Sequence, residues 1–137
     1  MFSAGLIFAF LGGAYLLERF VPSFRYASKI LERTLSSFHI TLPFAITLAT
    51  LSALGEEIFF RGALLPLIGI WGQALLFGLM HPAPRKAWMY PVYTFIAGLC
   101  FGYVTVWTGS LIPAILAHFM INLQGFLEIY RKQKLRA

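Results

Sequence analysis

Apolar residues run through this chain in long stretches rather than in strict alternation. Residues 62–80 and 87–117 hold no charged side chain. The second stretch exceeds the ~20 residues that a helix needs to span a bilayer. Turn signals divide the pattern into five helical spans, at residues 2–17, 40–68, 71–81, 87–107 and 111–128. Gly69 and Gly72 mark one turn, Pro82 and Pro84 break the next, and Thr108, Gly109 and Ser110 close the fourth span. Between the first two spans, Arg25, Lys29 and Arg33 recur every four residues, on one face of a helix. With Tyr26, Ile30 and the nearby Leu31 or Leu35 as its apolar surface, residues 18–38 form an interfacial amphipathic helix or a plain basic anchor. The pattern therefore predicts an all-α, polytopic membrane bundle of about five transmembrane helices. Its third helix is short or broken, and residues 1–137 make a single domain.

Composition agrees. The chain is 59% hydrophobic and 12% charged, whereas soluble domains carry about 25% charged residues. The net charge of +6 does not point to nucleic acid, because the basic residues gather beside apolar segments, at 19–33, 85–86 and 131–136. Membrane proteins mark their cytoplasmic side in this way. Placing all three patches inside puts the N-terminus outside and the C-terminus in the cytoplasm, with the uncharged turns near 69–72 and 108–110 opposite. No basic residue precedes the first apolar segment, so residues 1–17 read as a span rather than a cleaved signal. Cys100 is the single cysteine and reads as a small core- or lipid-facing residue. The expected setting is a bacterial or archaeal cell membrane, with the lipid bilayer as one partner and no nucleic acid.

Charge inside such spans is costly, about 2.5–3.5 kcal/mol per group at a helix centre. The stretch GEEIFFRG nevertheless carries Glu56, Glu57 and Arg61. Glu57 precedes Arg61 by four residues, the favourable order for an ion pair on one helix face. Glu56 is rotated by about 100° from Glu57 and is left over. An unpaired carboxylate within the membrane is a functional-site candidate whose partners should be sought. Two histidines lie at the end of, or within, apolar spans. His81 has Phe77 four residues before it, and His118 has Asn122 four residues after it. His39 sits at a span edge, and Trp71, Trp88, Tyr90 and Trp107 near span ends read as interfacial aromatics. At 1.5 Å per residue, Glu56, His81 and His118 lie about 18, 15 and 12 Å from the uncharged-loop side. They can converge near the midplane, with a polar cavity opening to the cytoplasm.

These residues also carry a resemblance. Glu56-Glu57-x-x-x-Arg61, Phe77-x-x-x-His81 and His118-x-x-x-Asn122, with the flanks FRG, LLFGLMH and TGSLIPAILAHFMINL, resemble the three motifs of the CPBP family over about residues 44–127. That family includes type II CAAX prenyl endopeptidases, Abi proteins and proteins linked to bacteriocin self-immunity. The resemblance implies an intramembrane endopeptidase of the glutamate type acting on a membrane-anchored protein or peptide. By position, Glu56 would activate water with help from His81. His118 and Asn122 would hold the oxyanion, and Glu57 and Arg61 would be a structural ion pair. A glutamate-activated water needs no cofactor. Glu56, His81 and His118 would be the ligands if a divalent ion such as zinc takes part. Other readings stay open: a non-proteolytic membrane binding or immunity protein of the same fold, and a proton or ion pathway. A relay should spread its titratable groups over several depths, whereas these share one.

Overall fold

The computed structural model describes residues 2–136, and the described residues are helical almost throughout. The helices are α1 (Phe2–Phe20), α2 (Pro22–Ser36), α3 (Leu42–Glu57), α4 (Leu65–Leu79), α5 (Met89–Thr108) and α6 (Ile112–Arg136). A π-helical segment, Ile58–Leu64, joins α3 to α4, and a 3-10 turn, Arg85–Ala87, precedes α5. Among the described residues, three helical runs are long and apolar enough to cross a membrane: Leu42–Leu79, Met89–Thr108 and Ile112–Leu135. The expected all-α bundle is thus observed. The first expected span falls on α1, although Met1 lies outside the described residues.

Capping explains where α3 begins. Thr41 is extended (φ −95°, ψ 161°), and its side chain accepts from the Phe44 amide. Pro43 then fits the first turn, where its missing N–H is no loss. The run from Leu42 to Leu79 cannot be straight. In a straight helix Glu56 and His81 would stand roughly 37 Å apart along the axis, yet their side chains lie 3.6 Å from each other. The reversal falls at Gly69, whose φ of 72° and ψ of 178° are non-helical and almost confined to glycine. The expected turn at 69–72 is therefore made by Gly69, and Gly72 belongs to the returning helix.

Small residues bring the helices together. Ala45, Ala49, Ala53 and Glu57 form a buried stripe along α3, spaced at four residues. This stripe faces α6, where Ala114 and Ala117 are likewise fully buried. Without methyl groups beyond Cβ, the two backbones approach closely. α4 packs as tightly on α5: a Cβ placed on Gly98 would meet Ala74 Cα at 3.0 Å. α1 is pinned to α5 by Tyr93, whose hydroxyl donates to the Phe10 carbonyl at 3.2 Å. Tyr93 also meets the Phe24 ring of α2 edge-on at 5.2 Å.

The connector at 18–38 is a helix, α2, with Pro22 in its first turn. Arg25 donates to the carbonyls of Glu18 at 3.0 Å and Arg19 at 2.6 Å, so a cation satisfies the open C-terminus of α1. At the far end, Gln133 of α6 accepts from the Ile40 amide and donates to the Phe38 carbonyl. This latch fixes where the chain enters α3.

Candidate active site

Three helices bring Glu56, His81 and His118 to one point. Glu56 Oε2 lies 3.6 Å from His81 Nε2 and 3.8 Å from His118 Nε2. The shared depth inferred from rise per residue is met to within a side-chain contact. The Glu56 side chain is about a third exposed, at 32%, although its Oε2 between the two histidines is buried, whereas Glu57 is wholly buried. His39, by contrast, is exposed and away from this cluster.

Each histidine is held from behind. His81 Nδ1 lies 2.7 Å from the Phe77 carbonyl, which can only accept, so Nδ1 carries the proton and donates. His118 Nδ1 donates to Glu57 Oε1 at 2.7 Å. Both Nε2 atoms therefore face Glu56. A hydrogen-bonded outer partner of this kind fixes ring orientation and tautomer.

Glu57 does more than neutralise Arg61. The expected pair is present, with Arg61 Nη1 2.9 Å from Glu57 Oε1 and both side chains fully buried. The same oxygen also holds His118, a contact that helix spacing could not reveal because it joins residues 61 apart. Arg61 lies against the Phe77 ring at 4.4 Å and the Phe101 ring at 5.2 Å, where cation–π attraction offsets part of its lost hydration. Its Nη2 reaches the Gly98 carbonyl at 3.4 Å. Gln73, fully buried, donates to the same carbonyl at 2.8 Å and to Ile70 O at 2.9 Å. Gln73 was invisible in the sequence because one uncharged polar residue in an apolar run has no pattern.

The π-helical turn was also missed. The Leu65 amide bonds back to Phe60 O, five residues earlier. Pro66 has no N–H and its ring crowds the carbonyl four residues back, so the α-helical ladder fails just there. π segments recur at functional sites, and this one carries Arg61.

Asn122 lies one turn beyond His118 and donates through Nδ2 to Ser52 Oγ at 2.6 Å. Its amide does not touch Glu56, but it lines a cavity of about 230 Å³ with His81, His118 and Tyr90. Tyr90 departs from its reading as an interfacial aromatic: it is half-buried and meets the His81 ring at 6.1 Å. Proximity to a span end suggested a membrane belt, but α4 and α5 fold together there and turn it inward. Trp71, Trp88 and Trp107 are exposed as expected. The cavity also reaches Glu18 and Glu128, so it extends toward the end of the bundle that bears the basic connector and tail.

As placed, the described residues contain no group of three or more His, Cys, Asp or Glu side chains arranged to hold a metal ion.

Residues 38–124 match the family described as type II CAAX prenyl endopeptidase Rce1-like. That stretch is more than half of the chain and contains every residue of the cluster. The chain belongs to the Rce1-like family. It is also 33% identical over 82 residues to the uncharacterized protein YpbD of Bacillus subtilis (strain 168). The match covers 60% of this chain and 43% of YpbD, so it spans less than half the length of that curated relative. No solved structure matches. Membership of this family of membrane proteases, together with the three apolar helical runs, makes this a membrane protein. α1 and α2 lie outside the family match, yet Tyr15, Glu18, Phe24 and Leu31 supply one wall of the cavity.

Proposed function

We propose that this chain is an intramembrane endopeptidase in which Glu56 activates water to hydrolyse a peptide bond of a membrane-anchored protein or peptide. One observation carries the reading: Glu56 meets two histidine Nε2 atoms within 4 Å, and both imidazoles are oriented by acceptors on their far side.

In the proposed reaction, Glu56 takes a proton from water as the oxygen attacks the scissile carbonyl. His81, with its Nδ1 proton committed to Phe77 O, presents Nε2 as an acceptor. It steadies the same water and can relay the proton to the leaving amine. The developing oxyanion is met by His118 and Asn122. His118 would donate through Nε2 while its Nδ1 stays bonded to the buried Glu57 carboxylate at 2.7 Å. Each such donor can supply about 2.7–4 kcal/mol. Glu57 and Arg61 stay outside the reacting atoms and hold the scaffold.

The cavity supports substrate entry from the basic end of the bundle, through the region lined by Glu18 and Glu128. In the proposed topology that end is cytoplasmic and the N-terminus lies outside.

The test is cleavage of candidate membrane-anchored substrates by the reconstituted chain, its Glu56→Gln variant and its His81→Ala variant. Loss of cleavage in Glu56→Gln is expected, and full activity there overturns the mechanism. Activity that survives exhaustive chelation, with no metal by elemental analysis, supports the metal-free form. Activity lost on chelation and restored by zinc would replace it with a metal-dependent one. A biological phenotype that survives Glu56→Gln in a normally inserted protein would favour a non-proteolytic binding or immunity role.

A further inference from the structure

Asn122 is the sole asparagine of the sequence, and its amide is not left to its own rotamer. Its Nδ2 is bonded at 2.6 Å to the hydroxyl of Ser52, 70 residues earlier on α3. Ser52 stands one helical turn before Glu56, and Asn122 one turn after His118. Three side-chain rungs thus join α3 to α6. His118 makes two of them, approaching Glu56 at 3.8 Å and donating to Glu57 at 2.7 Å, and the bond between Ser52 and Asn122 is the third. The alanine stripe at 45, 49 and 53 sets the helix separation that lets these rungs close.

An amide nitrogen carries two hydrogens. Ser52 Oγ engages one of them at 2.6 Å, which holds the amide plane against α3. The other hydrogen remains for the cavity that Asn122 lines beside His118. Without Ser52, the amide plane could rotate and carry that second hydrogen away from the cavity.

We propose that Ser52 is a positioning residue that holds the Asn122 amide with one N–H turned to the reaction site. The inference rests on the hydrolytic reading above. Ser52 touches no substrate and acts only through Asn122.

Two measurements test it. Asparagine-selective ¹⁵N labelling of the detergent-solubilised chain gives a single side-chain amide. Ser52→Ala should shift its bonded proton, and Ser52→Thr, which keeps the hydroxyl, should restore it. An unshifted resonance in Ser52→Ala overturns the proposal. In the cleavage assay, Ser52→Ala should lower kcat about tenfold with KM unchanged, and Ser52→Thr should recover it. On an Asn122→Ala background the same substitution should cost nothing further. Full kcat in Ser52→Ala, or losses that multiply in the double variant, overturns the proposal. If the wild-type chain cleaves no peptide, the hydrolytic reading fails on its own, and the resonance still decides whether Ser52 holds the amide.

Discussion

Glu57 Oε1 accepts from two cationic or potentially cationic groups at once, Arg61 at 2.9 Å and His118 at 2.7 Å. A fully buried carboxylate in such a place is tolerable only while those partners remain. The second bond gives Glu57 a role that an ion pair with Arg61 alone would not have, since it decides which nitrogen of His118 faces Glu56. Glu57→Gln keeps the shape but removes the carboxylate that accepts from both His118 Nδ1 and Arg61. We expect kcat to fall about 10²-fold or more, by analogy with loss of an orienting carboxylate behind a catalytic histidine. Purified protein should still elute as a folded species, although with a lowered Tm. Unchanged kcat in a folded Glu57→Gln variant would return Glu57 to a purely structural role.

At the scale of the element, the reversal at Gly69 sets the site. α3 and the π segment carry Glu56 away from the turn, and α4 brings His81 back by nearly the same number of residues. No contact within 4 Å would meet a Cβ added at Gly69, so space does not dictate glycine there; the dihedral angles do. Gly69→Ala should therefore cost on the order of 1–3 kcal/mol, read as a lower midpoint in thermal or denaturant unfolding. The same substitution at Gly5, where a Cβ also meets nothing and φ is ordinary, should be much milder. Equal effects at the two sites would show that the turn is not strained. This reversal was legible in the sequence because Gly69 and Gly72 interrupt an apolar run, and rise per residue then placed the two histidines and Glu56 at one depth. The ion pair was legible from spacing alone. Ser52, Gln73, Tyr90 and the π turn were not. Their roles arise from contacts between helices, or from the way Pro66 breaks a ladder, and neither leaves a periodic signal.

For the whole molecule, the distribution of charge is the remaining constraint. The basic residues of α2 and of the tail gather at one end of the bundle, where Lys132 Nζ pairs with Glu32 at 2.8 Å. That exposed pair is worth about 0–1 kcal/mol and cannot orient the protein by itself. The asymmetry of Lys and Arg between the two ends can, because translocating basic loops is disfavoured. The turn at Ser110 carries no charge and should face outward, while Gln133 should face the cytoplasm. In a Cys100→Ala background, Ser110→Cys should label with a membrane-impermeant maleimide in intact cells. Gln133→Cys should label only after permeabilisation, and the reverse pattern would invert the topology. The inversion would also move the cavity mouth, because Glu18 and Glu128 lie at the basic end. A substrate would then have to present its scissile bond from outside. The labelling pattern thus decides towards which compartment the cavity lined by His81, His118 and Asn122 opens.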